Sequence, residues 1–278
     1  MDIRPSPIAG TWYPNHPKTL AQVVDQFLNA AEGSAPEGKP LAVLAPHAAL
    51  RYSGPVAGYS FNCLRNLRPE VIAIVGPMHH LETAPLLTSG HEAYQTPLGV
   101  VRVDKPAVEG VHHIMKETLG YGLTRIRDDP EHSVEVELPF LQRIFGDFLL
   151  LPIMIVNQHL AVAEALGKAL AEALRGRTAL LVASSDLSHF YPQEVAQRLD
   201  GEVLRRLERF DPRGVLQAQD EGVGYACGRG AISAVLWAAR SLGASQVNIL
   251  RHATSGDISG DYTSVVGYAA AAVTEAAA

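Results

Sequence analysis

Six apolar runs of strand length recur along this chain: Leu41 to Ala45, Val71 to Val75, Phe148 to Val156, Ala179 to Ala183, Val247 to Leu250 and Ser264 to Ala269. A strand that is apolar at successive positions, not alternate ones, has both faces to bury, so these runs suit a sheet covered on both sides. Segments of helical period lie between them: Lys18 to Ala31 behind Pro17, Pro55 to Leu67 with Pro55 in the first turn, Ala161 to Leu174, Gln193 to Arg209, and Arg229 to Leu242. The alternation predicts an α/β fold, a single domain over residues 1–278 with a mixed, mostly parallel β-sheet flanked by helices. Pro85 to Val103, broken by Gly90, Pro97 and Gly99, is expected to add a hairpin or antiparallel edge. No fixed-period repeat is visible, and the Gly/Pro/Ser-containing stretch from Glu32 to Pro40 is short enough for an ordinary connection.

Three of the runs end alike. Leu41-Ala-Val-Leu-Ala-Pro46-His47, Val71-Ile-Ala-Ile-Val-Gly-Pro-Met78-His79-His80 and Ala179-Leu-Leu-Val-Ala-Ser-Ser185-Asp186-Leu-Ser-His189 each pass from apolar strand to histidine or aspartate. If these strands are parallel, their carboxyl ends share one sheet edge, where open α/β sheets place their sites, and His47, His79 or His80, Asp186 and His189 converge there. Imidazoles and a carboxylate gathered in this way form a metal site or an acid/base cluster. Each alone is equally a polar residue opening a loop, and only the threefold repetition favours the shared site.

Cys227, in Tyr225-Ala-Cys227-Gly-Arg229-Gly-Ala231, stands just before a helical pattern, where unpaired backbone N–H groups and nearby Arg229 are expected to favour the metal-binding thiolate. Cys63 reads as a small buried hydrophobe. In Asp128-Asp-Pro-Glu131-His132-Ser-Val-Glu135-Val-Glu137 the acids are first of all dipole partners for a helix start, with His132 and Glu135 as candidates for fixing the tautomer of a metal-bound histidine. His112-His113, within Lys105 to Leu119, reads as a solvated helix face, and His16, His91 and His159 have no nameable partner. Trp12 and Tyr13, with Arg51 and Tyr52 just after His47, would bring aromatic and cationic groups beside the cluster if the amino-terminal segment folds over it, an arrangement suited to a ring or an anion.

Composition removes other classes. With 23 Lys+Arg against 29 Asp+Glu among 278 residues, a net charge of -6 and no basic run, the chain is not expected to bind nucleic acid. At 47% hydrophobic and 19% charged it is neither disordered nor fibrous. Two cysteines build no disulfide framework, and no export or membrane segment is visible, which predicts a cytoplasmic protein. Walker, complete Gly-x-Gly-x-x-Gly and Gly-x-Ser-x-Gly patterns are absent.

The strings Ala9-Gly-Thr-Trp-Tyr-Pro14, Ala45-Pro-His-Ala48 with Tyr52-Ser-Gly54, Gly76-Pro-Met-His-His80, Tyr94-Gln-Thr-Pro-Leu98, Glu131-His-Ser133, Ser184-Ser-Asp-Leu-Ser-His189, Cys227-Gly-Arg229 and Gly260-Asp-Tyr-Thr-Ser-Val-Val-Gly-Tyr-Ala269 together resemble the Memo family, also called AmmeMemoRadiSam system protein B. That family is similar to the class III extradiol dioxygenases. The resemblance implies their fold, one α/β domain around a mixed sheet with iron(II) at one edge, and a non-haem iron oxidoreductase acting on a small aromatic diol-like substrate. By position it implies His47, His79 and Cys227 as metal ligands, Asp186 as a further ligand or close neighbour, and His189 as the acid/base histidine. Trp12, Arg51, Tyr52 and His80 would frame the substrate. Two histidines and a thiolate are softer than the two histidines and carboxylate of the dioxygenases, so copper or zinc also fit. Where the family commonly has Gly-Tyr, this chain has Ala49-Leu50-Arg51 before Tyr52, which reshapes the wall beside His47. The alternatives are a non-catalytic protein using the same pocket for a metal or a phosphopeptide, and zinc-assisted hydrolysis. The family name further implies work beside an AMMECR1-like protein and a radical SAM enzyme; no membrane partner is expected, and no oligomeric state is assigned.

Overall fold

In a computed structural model, which describes residues 1–34 and 36–276, the apolar runs become strands of one twelve-stranded sheet. In chain order these are β1 (Ile3–Arg4), β2 (Pro40–Ala45), β3 (Val71–Pro77), β4 (Leu86–Ser89), β5 (Ala93–Thr96), β6 (Gly99–Val103), β7 (Thr124–Ile126), β8 (Leu149–Ile155), β9 (Ala179–Ser184), β10 (His189–Tyr191), β11 (Gln246–Thr254) and β12 (Val265–Thr274). The helices are α1 (Pro17–Ala30), α2 (Leu50–Asn62), α3 (Lys105–Leu119), α4 (Leu138–Phe145), α5 (Leu160–Ala173), α6 (Gln193–Glu208), α7 (Pro212–Asp220), α8 (Arg229–Ser241) and α9 (Gly256–Ser259). The sheet is mixed and mostly parallel: β6, β8, β3, β9 and β2 run side by side in one direction, and β12 closes antiparallel on β2. β11 and β10 both pair with β12, while β4 pairs with β8 and β7.

Every residue of β3 is buried, which explains why its sequence shows no apolar/polar alternation. Cover comes from two groups of helices, α1, α2 and α4 packed together, and α5 and α8 with α3 and α7 beside them. Truncating a central side chain such as Ile74 to alanine is expected to cost about 2–5 kcal/mol. The expected hairpin is β5–β6, whose turn closes at Gly99 with φ 135°, a conformation that favours glycine. Among the described residues no helix is long and apolar enough to cross a membrane.

One helix start differs from expectation. α2 begins at Leu50, not at Pro55, and ends at Asn62, not at Leu67. Its first turn is tied from outside: the Leu50 N–H donates to the Trp12 carbonyl (2.9 Å) and Ser53 Oγ donates to the Ala48 carbonyl (2.7 Å). Pro55 therefore sits inside the helix, where its missing N–H leaves the carbonyl of exposed Arg51 without the usual intrahelical partner.

Candidate metal centre

β2 and β9 pair so that Ala45 sits beside Ser184, and β3 lies on the other side of β9 with Val75 beside Ala183. The residues that follow these three strands leave the same edge of the sheet. His47 follows β2, His79 and His80 follow β3, Asp186 follows β9, and Cys227 arrives just before α8. His47 Nε2 lies 3.2 Å from Cys227 Sγ, and the His47 and His79 rings stand edge to face with centroids 5.1 Å apart. One ligand atom from each of His47, His79 and Cys227 falls within 4.8 Å of the others. Metal–nitrogen and metal–sulfur bonds of about 2.0–2.3 Å set neighbouring ligand atoms roughly 3–4 Å apart, so the donor set fits a single cation.

Each histidine is oriented by a carboxyl group behind it. His79 Nδ1 lies 2.9 Å from Glu131 Oε1, while Glu131 Oε2 accepts the His79 backbone N–H at 2.6 Å. The same Oε1 accepts the backbone N–H groups of His132 (2.9 Å) and Ser133 (2.8 Å). Burial pushes the Glu131 carboxyl up, but the hydrogen bond from His79 and the neighbouring imidazoles outweigh it and hold the group below the usual carboxylate range. Behind His47 the connection has one more link. Its Nδ1 meets Ser184 Oγ at 2.8 Å, and that hydroxyl faces two acceptors, the Ser133 carbonyl (2.6 Å) and Glu137 Oε1 (2.8 Å). The one hydroxyl hydrogen serves those acceptors, so Nδ1 of His47 carries the proton that the Ser184 lone pair receives. In both histidines Nδ1–H points away from the cluster and Nε2 is the nitrogen left to ligate.

Cys227 Sγ accepts the Asp186 N–H at 3.2 Å and lies 3.7 Å from Ser185 Oγ. The expected help from Arg229 does not materialise. Its guanidinium is turned to Asp220 (2.6 Å) and the Leu216 carbonyl (3.1 Å), and burial together with the Asp186 carboxyl pushes the thiol up. A bound cation, not Arg229, is what would favour the thiolate here.

A cavity of about 480 Å³ opens on the cluster, with Trp12, His80, His132, Asp186 and His189 in its lining. Asp186 Oδ1 accepts the His47 backbone N–H at 2.8 Å, and burial raises its carboxyl to about 7; its oxygens are not part of the three-atom ligand group. His189 Nδ1 donates to the Leu187 carbonyl (2.8 Å), which leaves Nε2 as a free acceptor, and burial lowers its pKa, keeping the ring neutral. Trp12 lies against His132 (centroids 4.0 Å, interplanar angle 34°), and His132 stacks on His79 (4.5 Å, 20°). Burial lowers the His132 pKa to about 4.

Three further residues sit elsewhere than expected. Glu135 does not back a histidine. It accepts from Arg4 (2.5 Å), Ser6 (2.5 Å) and Tyr13 (2.6 Å), and so pins the amino-terminal segment that carries Trp12. The carboxylate behind His79 is Glu131 instead, because the tight turn over Glu135–Glu137 swings Glu135 towards Arg4. Arg51 and Tyr52 lie in the first turn of α2 with the guanidinium 4.6 Å over the Tyr52 ring, and neither lines the cavity. The early start of α2 carries them away. Ser184, Glu131 and Glu137 were not among the expected site residues. The available signals were acids embedded in an apolar stretch, and a serine at a strand end beside the Asp186 turn.

A family model described as Memo-like protein matches residues 4–272. A MEMO1 family protein of Pyrobaculum aerophilum is 36% identical over 283 residues, covering 97% of this chain and 98% of that protein. MEMO1 family proteins of Thermotoga neapolitana (35% over 280 residues, 97% and 99% covered) and Methanopyrus kandleri (32% over 277 residues, 95% and 96% covered) are similar along their whole lengths. The crystal structure of an uncharacterized protein from Escherichia coli K12 is alike in fold, with a TM-score of 0.52 at 15% identity, covering 84% of this chain and 100% of that one.

Proposed function

This chain belongs to the Memo-like protein family, and from that membership and the geometry of the cluster we propose that it is a non-haem iron(II) oxidoreductase of the extradiol dioxygenase kind, acting on a small aromatic diol or a related bidentate oxygen ligand. The observation that carries the reading is a cavity lined by two of the three ligands, His47 and His79, with Cys227 Sγ 3.2 Å behind His47 Nε2, and by a histidine outside the ligand group, His189, with its acceptor nitrogen free. His47, His79 and Cys227 would hold the iron. Bound there, iron(II) would gather diol and dioxygen side by side and polarise both, and copper or zinc would suit the same soft donor set.

The remaining work falls to the chain itself. His189, neutral and held by the Leu187 carbonyl, takes a proton from a substrate hydroxyl at Nε2 and returns it later. Asp186 keeps the His47 backbone in place through its 2.8 Å hydrogen bond. Pro7, Ile8, Trp12 and Val266 give the cavity apolar walls that exclude water and suit an aromatic ring. A phosphopeptide reading would rest on the bound metal for its cation, since Arg51 stands outside the cavity.

Oxygen uptake by the anaerobically iron-loaded protein over a panel of catechols tests the proposal, with His189→Ala as the diagnostic variant. Its turnover is expected to fall about 10²–10⁴-fold with iron content unchanged. Undiminished turnover in that variant, or no diol-dependent uptake by the iron-loaded parent, contradicts it.

A further inference from the structure

Between His189 and Tyr191 the pairing of β10 with β12 shifts register, and Phe190 takes a backbone φ of 63°. Phenylalanine is poorly suited to that left-handed conformation, in which its Cβ crowds the neighbouring carbonyl. The residue is also 74% exposed, its ring standing edge-on to the His189 imidazole with centroids 5.7 Å apart. The strained backbone costs stability, the ring left in water contributes almost none in return, and an asparagine at this position would relieve the strain. A side chain so placed adds little to the core, and its value lies in what it meets at the surface. Phe190 is not itself in the lining of the cavity, but it stands at the rim: His189, against which its ring lies, and the cross-strand partner of His189, Val266, both belong to that lining. Irregular pairing of this kind re-aims a side chain, and it recurs next to active sites.

We propose that Phe190 is a specificity-determining wall at the mouth of this cavity, covering the outward part of a bound aromatic ligand and so favouring ligands with a ring over ring-free ligands with the same pair of metal-binding oxygens. The inference rests on the reading of the cavity as an iron-dependent diol site. Tyr225 stands on His189 in the same edge-on manner at 5.7 Å, so two aromatic rings border the imidazole and Phe190 is the more exposed of them.

The test uses iron-loaded protein under nitrogen, titrated calorimetrically with 4-nitrocatechol and with acetohydroxamate, a bidentate oxygen ligand without a ring, for the parent, Phe190→Asn and Phe190→Tyr. Thermal midpoints are recorded for all three. Phe190→Asn is expected to bind 4-nitrocatechol about three- to tenfold more weakly, the range of one aromatic contact, and acetohydroxamate unchanged within about twofold. Its midpoint is expected at or above that of the parent, and Phe190→Tyr is expected to restore the preference. Equal 4-nitrocatechol affinity in parent and Phe190→Asn overturns the role of Phe190 alone. Parallel weakening of both ligands, or a lowered midpoint, makes the ring structural and overturns it as well. A parent that binds neither ligand brings down the diol reading itself, and the wall with it.

Discussion

Replacing Glu131 by glutamine removes one charge and one lone-pair acceptor from behind His79 while keeping shape. In the parent the carboxylate serves four donors: His79 Nδ1 and the His132 and Ser133 N–H groups on Oε1, and the His79 N–H on Oε2. The glutamine carbonyl can keep the three on Oε1, but its NH₂ then faces the His79 N–H, and a buried donor is left unpaired at a cost of about 1–3 kcal/mol. At about 2–4 °C per kcal/mol for a large domain, the metal-free variant should melt roughly 2–12 °C lower. Loss of the partner that fixes a ligating imidazole typically weakens metal binding about 10–100-fold, or roughly 1.4–2.7 kcal/mol. The pH dependence has a definite sign. Because the folded state holds the Glu131 carboxyl below its ordinary value of 4.5, its contribution is complete above that value and is lost as pH falls through the folded pKa. The gap between the metal-free parent and Glu131→Gln should therefore narrow in acid. Chelator competition for zinc or iron(II) and differential scanning calorimetry at several pH values measure both effects. A variant that holds metal as tightly as the parent would refute the assignment of Glu131 as the group orienting His79.

Arg4→Ala strands the buried carboxylates of Asp129 and Glu135, which lie 2.8 and 2.5 Å from the guanidinium; breaking such a pair costs about 3–5 kcal/mol, so the melting midpoint should fall by roughly 10 °C. The same substitution should red-shift tryptophan emission as Trp12 loosens from His132, and a midpoint within about 2 °C of the parent would contradict the pinning of that segment. Glu137 is raised well above the usual carboxyl range by burial, so the stability it contributes is present in acid and lost as pH rises through its folded value. Glu137→Gln should therefore gain in melting temperature relative to the parent more at pH 8 than at pH 5, and an advantage that shrinks with rising pH would contradict this.

The central sheet is legible because short, β-branched, fully apolar runs such as Val71 to Val75 suit doubly covered strands, and the polar residues after β2, β3 and β9 mark the edge they share. The edges are not legible in the same way. β1, β7 and β10 span two or three residues each, too short for a period to register, and they exist because a neighbouring strand offers free backbone groups. In the site, the strand ends His47 and His79 lie within reach of Cys227 at the helix start; the repeated strand ends mark the two histidines, whereas only the family resemblance joins the cysteine to them. Glu131 and Glu135 were indistinguishable by spacing, since only the course of the turn between Asp129 and Glu137 decides which acid faces His79 and which faces Arg4. Arg51 and Tyr52 fail for a related reason: the first turn of α2 is tied by the distant Trp12 carbonyl, a contact that no local sequence window contains.

Metal content per chain, measured on anaerobically purified and iron-reconstituted parent, His47→Ala, His79→Ala and Cys227→Ala alongside their circular dichroism, tests the three-donor cluster most directly. The cluster requires close to one ion per chain in the parent and marked loss in all three folded variants. A parent that takes up no iron, copper or zinc under any loading condition, or variants that retain it in full, would contradict a metal centre at this edge of the sheet.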